Sequence, residues 1–323
     1  MSWKLESKSL GAGAALVCCM SLGAPAVHAI NTQAATNAAN GPDCNAARPF
    51  YWEIGGSGGA PLVSGQVGGT QFNRNTTVNI ASASKWPFGA YVLQRYGGIP
   101  GGSSGNTIVS ALNMLEGHTS FNTLTCSLTR TVEKCHTIGD NDVVDPSKVG
   151  SFNYGGGDGQ YAAAAASLLN LGPLKTSGLL SAVNSYLSLG SSFAYNYPGV
   201  AGGMTANAAH YVAFLQKLMD GTYVMSNYLD HNPVATQCAA CSSPYGTADM
   251  HYSLFHWIED NTGGSLPNGT PLTAGDGAFS SLGAYGFYPW ISADKQYYGV
   301  ISMDGEAQDS YVCGKAIRGA FFN

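Results

Sequence analysis

The hydrophobic rhythm of the chain changes twice. Phe50-Tyr51-Trp52-Glu53-Ile54, a glycine-rich run over 55–59 and Pro61-Leu62-Val63-Ser64-Gly65 predict two strands joined by a turn. From 86 to 95 the apolar positions recur at helical spacing, and helical candidates follow at 107–115, 159–171, 179–187 and 206–218. The last of these places Tyr211, Phe214, Leu215 and Leu218 on one face. Beyond it, 251–258, 285–291 and 296–303 carry the aromatic and β-branched content of strands, and 308–322 closes the chain as a helix. Strands at both ends around a helical middle predict an α+β fold. An antiparallel sheet built from the N- and C-terminal segments is flanked by helices, with a mostly helical region inserted. The expected boundaries are an α/β domain at 44–95 plus 246–323 and a helical domain at 96–245.

Residues 1–29 read as a secretory signal: Lys4 and Lys8, an apolar run from Leu10 to Leu22, and the small-x-small site Val27-His28-Ala29. Leu16-Val17-Cys18-Cys19 has the outline of a lipoprotein signal, but a cysteine directly before the acylated one is unusual, so cleavage near Ala29 is expected. No later apolar run is long enough to span a bilayer without Gly or polar interruptions, so no stable membrane anchor is expected. Residues 30–43 are small and polar and are expected to form a flexible leader. The predicted destination is the periplasm or the medium.

Composition fits that destination. Charged residues are 10% of 323 positions while Gly reaches 43, so Ser, Thr, Asn, Gln and Tyr must form the surface. A net charge of −5 without a basic block removes the counterion-release drive for nucleic acid. Loss of the signal would leave six cysteines, an even set that predicts disulfides in an oxidising compartment. Several connectivities are open. Short loops favour Cys126–Cys135 and Cys238–Cys241, which leaves Cys44 and Cys313 to tie the two ends together. A metal reading of Cys238 and Cys241 lacks a second cysteine pair, so no metal is expected.

The sharpest chemical signal is Ser82-Ala83-Ser84-Lys85, where strand-like sequence passes into a helix. Residues three apart on a helix share a face, so the Lys85 amine can reach the Ser82 hydroxyl. A desolvated lysine loses its proton readily and can act as base while Ser82 attacks a carbonyl. Spacing alone is weak evidence, since Ser292 and Lys295 repeat it in a probable-turn sequence, Ser292-Ala293-Asp294-Lys295.

Four further segments follow in order: Met114-Leu115-Glu116-Gly117-His118-Thr119-Ser120, Tyr154-Gly155-Gly156, Ala201-Gly202-Gly203-Met204-Thr205 and Ser281-Leu282-Gly283-Ala284. Together with Ser82-x-x-Lys85, they resemble the ordered motifs of the serine β-lactamase and penicillin-binding protein superfamily over residues 45–320. The likeness is strongest to the branch holding class C β-lactamases, family VIII esterases and 6-aminohexanoate-oligomer hydrolases. The resemblance implies Ser82 as acylated nucleophile, Lys85 as its base and Tyr154 as a proton relay. It also implies an oxyanion hole from the backbone N–H groups of Ser82 and Ala284. Gly156, Ser281 and Gly283 stand at substrate-binding positions. Gly156 replaces the family's Asn, and Ser281 replaces the Lys or His that helps to hold a penicillin carboxylate, so ester or amide substrates are favoured over β-lactams.

The expected function is an exported serine hydrolase that needs no cofactor and cleaves a small-molecule or polymeric ester or amide. The alternatives are a D-alanyl-D-alanine carboxypeptidase or β-lactamase, and a non-catalytic ligand-binding protein of the same fold. His118, His210, His251 and His256 are expected to be structural. The Gly-x-Ser-x-Gly runs at 55–59 and 101–105 lack the strand-to-helix setting of a nucleophile elbow, which sets aside Ser103. The Phe287-Tyr288-Pro289-Trp290 and Tyr297-Tyr298 clusters are read mainly as strand residues.

Overall fold

The computed structural model describes residues 29–323, so the expected signal segment lies outside the described residues except for Ala29. Helix α1 (Thr32–Ala39) is followed by the hairpin of β1 (Phe50–Gly56) and β2 (Val63–Val67), then by β3 (Val78–Asn79) and α2 (Lys85–Tyr96). The middle holds α3 (Gly102–Leu112), α4 (Thr123–Ser127), α5 (Val132–Thr137), α6 (Gly157–Ala164) and α7 (Thr176–Leu187). Strands β4 (Ala194–Tyr195) and β5 (Met204–Ala206) lead into α8 (Ala208–Met219). The remainder is β6 (Val234–Ala235), β7 (His251–Ser253), β8 (His256–Glu259), β9 (Ala278–Ser280), β10 (Tyr288–Ile291), β11 (Tyr297–Ser302) and α9 (Ala307–Phe321).

Eight strands form one antiparallel sheet in the order β2-β1-β11-β10-β9-β8-β7-β6. The N-terminal hairpin thus pairs directly with the last strand, Trp52 opposite Ile301, as an α+β fold assembled from both ends requires. Helices α8 and α9 pack on this sheet, and β3, β5 and β4 make a second, small one. Trp52, Trp257, Trp290, Tyr288 and Tyr298 are buried, so the C-terminal aromatic clusters serve the core. Cys44 pairs with Cys313, Cys126 with Cys135 and Cys238 with Cys241. Among the described residues no helix is long and apolar enough to cross a membrane.

The structure departs from the sequence-based expectation at four places. The expected flexible leader contains α1: Asn31 caps it by accepting from the Ala34 amide at 2.9 Å, and Ala35 and Ala39 bury their methyls in the contact with α9. Small residues four apart allow that close approach, a signal that composition conceals. The helix candidate at 159–171 ends at Ala164, because the chain reverses through left-handed Asn170 and the Leu169 and Leu171 amides return to the Ala162 and Ala163 carbonyls. The single strand expected at 251–258 is a hairpin that turns at Leu254 and Phe255, both at positive φ. Such backbone is costly for bulky residues, and here both amides are held from outside. Leu254 donates to Asn113 Oδ1 at 2.6 Å and Phe255 to the Leu112 carbonyl at 3.0 Å. Finally, β6 and α8 fall inside 96–245 yet join the sheet edge and the sheet face.

Candidate active site

Strand β3 runs through Ile80 into a tight turn, Ala81–Ser84, that precedes α2. Ala81 has φ 42°, an unfavourable value for a residue with a Cβ, so neighbouring elements must hold the turn. Ser84 Oγ donates to the Ala81 carbonyl at 2.6 Å and accepts the Met204 amide of β5 at 3.0 Å. Tyr211 of α8 donates to the Ala83 carbonyl at 2.7 Å, and Ser281 Oγ donates to the Ser82 carbonyl at 3.1 Å. Gly283 completes the clamp, since a Cβ there would lie 2.2 Å from the Ile80 carbonyl oxygen.

This turn presents Ser82 to Lys85, the first residue of α2. Lys85 Nζ lies 2.9 Å from Ser82 Oγ and 2.9 Å from the Ala201 carbonyl oxygen, and the side chain is buried. Burial lowers the Lys85 pKa to about 7, with no carboxylate opposing it. That shift from 10.5 corresponds to about 5 kcal/mol against the ammonium. The Tyr154 ring face, 4.7 Å from Nζ, offers a cation about 0.5–2 kcal/mol, so desolvation wins. A substantial fraction of the amine is therefore neutral near pH 7.

Tyr154 reaches the same point from a different part of the fold. Its amide donates to the Ser242 carbonyl at 2.9 Å, and its ring packs beside Trp257 with centroids 5.1 Å apart. Burial raises its phenol pKa, while hydrogen bonding with Ser82 and Trp257 pulls the other way. Ser82, Lys85 and Tyr154, 72 positions apart at their extremes, are thus gathered at the head of a cleft of about 670 Å³. Ala284 lines the cleft next to Ser82, and its amide has no hydrogen-bond partner among the described residues.

Three substrate-binding expectations fare differently. Gly156 lines the cleft, but a Cβ there would fall 2.7 Å from the Phe121 ring, so Phe121 fills the space a larger side chain would need. Ser281 is buried with its hydroxyl spent on the Ser82 carbonyl, and Gly283 is buried against Ile80. These two do not line the cleft. They hold the turn that carries Ser82, Ser281 through its bond to the Ser82 carbonyl and Gly283 through its close approach to Ile80.

The histidines are occupied elsewhere. His118 Nδ1 meets Asp158 at 3.1 Å, His210 bonds Ser192 at 2.8 Å, and His251 meets Asp260 at 2.8 Å. His256 stacks on Trp86 and its Nε2 lies 2.6 Å from the Leu229 carbonyl oxygen. Asp158 also accepts the Glu116 and His118 amides, which sets the loop before Phe121. Ser103 is exposed in the first turn of α3, and Ser292 and Lys295 occupy the β10–β11 turn. No group of three metal-ligating side chains occurs among the described residues.

Sequence reasoning missed the walls of the cleft: Asn79, Phe121, Leu124, Asn196, Tyr197 and Tyr285. Only Leu124 carried a signal, an apolar residue in a polar stretch, and it is 73% exposed. A second pocket of about 260 Å³ shares Ser82, Tyr154 and Ala284 with this cleft.

No protein-family model matches the chain, and no curated protein sequence matches it. Solved structures do. A D-stereospecific amidohydrolase from Streptomyces is 14% identical with a TM-score of 0.58, over 88% of this chain and 98% of that one. A penicillin-binding protein from Bacillus halodurans is 10% identical with a TM-score of 0.58, over 84% and 95%. A protein from Bacteroides dorei provisionally named a β-lactamase is 16% identical with a TM-score of 0.57, over 85% and 93%. The fold is that of the serine β-lactamases and penicillin-binding proteins. Within this β-lactamase-like fold, the sheet of both chain ends and the helix led by Ser82 and Lys85 are the elements described above.

Proposed function

We propose that the protein is an exported serine hydrolase that forms an acyl-enzyme through Ser82 and cleaves an ester or amide without an anionic group. One observation carries the reading: a buried amine without a counter-charge sits 2.9 Å from a serine hydroxyl at the head of a cleft. Neutral Lys85 takes the Ser82 proton as Oγ bonds to the substrate carbonyl carbon, and the oxygen that becomes negative receives the Ser82 and Ala284 N–H groups. The proton passes by way of Tyr154 to the leaving oxygen or nitrogen as its bond to carbon breaks. Water then attacks the acyl-enzyme with the same groups in reverse, returning the proton to Ser82.

The cleft disfavours anionic substrates. Among the described residues, apart from Lys85, no ionisable acid or base other than tyrosine lines it, and no arginine or second lysine lines it to receive a carboxylate. That weighs against penicillins and D-alanyl peptides, both of which present one. Exposed Leu124 on the rim, with Phe121 and Tyr285, favours an apolar or oligomeric substrate. Export is supported by the three disulfides. A purely binding role has nothing to recommend an amine held against a hydroxyl at a desolvation cost of several kcal/mol.

The test is hydrolysis of p-nitrophenyl butyrate by the mature protein beside Ser82→Ala. The expected result is burst kinetics that vanish with the hydroxyl. Equal rates in the two proteins would sink the acyl-enzyme.

A further inference from the structure

The second pocket differs in kind from the cleft with which it shares Ser82, Tyr154 and Ala284. At about 260 Å³ against 670 Å³ it takes a short group only. Three of its walls are the rings of Tyr245, Trp257 and Tyr311, which meet edge to face with centroids 4.6 Å (Tyr245–Trp257) and 4.8 Å (Tyr245–Tyr311) apart. At its rim stands Glu306, exposed, with no hydrogen bond or ion pair from its carboxylate to another described residue.

Apart from the tyrosines, Glu306 is the one ionisable side chain lining this pocket. The start of α9 also contributes backbone amides with a partial positive charge of about half a unit. Glu306 and Asp309 bring two full negative charges to that same turn, so the net sign is negative. Two basic side chains stand close to it without lining it: Lys85, in part neutral near pH 7, lies 4.7 Å from the Tyr154 ring centroid, and Lys315 lies 5.8 Å from the Tyr311 ring centroid and donates to the Thr273 carbonyl at 3.3 Å. Arg318 is fully paired with Glu259 and Asp276. An aromatic enclosure with an unpaired carboxylate at its mouth attracts an organic cation and repels an anion.

The geometry points to this pocket as a subsite for a short ammonium-bearing group on one side of the scissile bond, with Glu306 selecting the charge and the uncharged remainder of the substrate in the large cleft. This assignment rests on Ser82 being the reacting centre.

Ester pairs that differ only in charge test it. Butyrylcholine and its neutral tert-butyl isostere place the charge on the alcohol side. The p-nitrophenyl esters of trimethylammonio-terminated butyrate and of its tert-butyl isostere place it on the acyl side. In one of the pairs the cation is expected to be favoured roughly three- to tenfold in kcat/KM, the range of a partly exposed charge contact. Glu306→Gln should bring that ratio towards one, and Glu306→Lys should invert it. A ratio near one in both pairs, or one that survives both substitutions, overturns the subsite. A parallel measurement needs no turnover: calorimetric binding of butyltrimethylammonium to Ser82→Ala, expected to weaken several-fold when Glu306→Gln is added. Cation binding that depends on Glu306 in a protein that hydrolyses none of the esters would keep the pocket and remove the hydrolase. Hydrolysis without charge preference or cation binding would do the reverse.

Discussion

Among the described residues one arginine and one lysine are buried, Arg318 and Lys85, and they are buried in opposite ways. Arg318 on α9 meets Glu259 at 2.6 Å, Asp276 at 2.7 Å and the Tyr288 hydroxyl at 2.8 Å, and these partners hold its pKa well above the ordinary arginine value. Lys85 on α2 is as deeply buried but meets only a hydroxyl, a carbonyl and a ring face, and burial brings its pKa down to about 7. The first arrangement yields a permanent charge that joins the sheet to its last helix. The second yields a base. Desolvation is severe at both sites, and the presence or absence of a carboxylate decides which outcome follows.

The comparison can be broken most forcefully at Lys85. Lys85→Met is expected to lower kcat/KM by about 10³-fold or more, as loss of a base that acts as a unit with its nucleophile does. The same change should stabilise the fold at pH 7, which urea unfolding measures. The sign follows from the shift: between pH 7 and 10.5 the unfolded lysine binds a proton that the folded one has lost, so wild-type stability rises with pH in this window. The slope is about 1.4 kcal/mol per pH unit for one proton, and the Met variant should lack it.

Arg318→Met is the converse. It strands Glu259, which is completely buried, and should cost about 3–5 kcal/mol of stability. The midpoint of the pH–activity profile should not move, and a shifted midpoint would mean that the two buried cations are coupled. Tyr154→Phe keeps the ring over Lys85 and removes the relay, and a fall of about 10²-fold in kcat with little change in KM is expected. For the wild type, kcat/KM should rise about tenfold per unit below pH 7 and level off above it, following neutral Lys85. The smallest effect belongs to Ser281→Ala. Loss of its bond to the Ser82 carbonyl, worth about 0.5–1.5 kcal/mol, should lower kcat a few-fold and spare KM, since the hydroxyl steadies the nucleophile and does not face the cleft.

Ser82 and Lys85 were legible because their spacing is local: residues three apart on a helical turn face the same side. The N-terminal hairpin was legible for a similar reason, as alternation and a glycine-rich turn act over a dozen residues. The β7–β8 turn was not, because Leu254 and Phe255 adopt positive φ while their amides donate to Asn113 and Leu112, some 140 positions away. That Ser281 and Gly283 stand off the lining of the cleft was not legible for the same cause. Their motif marks a place near the nucleophile, but whether a side chain there faces substrate or the back of the Ser82 turn depends on how β9 is followed by its bend.

Local chemistry in the chain therefore specified which residue types could react, the N-terminal hairpin and the long amphipathic helices, and that both ends would share a sheet. Long-range packing settled the rest. A lysine's pKa depends on what surrounds it in three dimensions, and no spacing reveals that Ala201 supplies a carbonyl rather than a carboxylate neighbour. A cleft likewise belongs to no segment: its walls come from β3, α4, the Tyr154 loop, the strand connection at 196–202 and the Ala284 bend. Its neutrality, and the single carboxylate at the mouth of the smaller pocket beside it, exist only once those pieces are brought together.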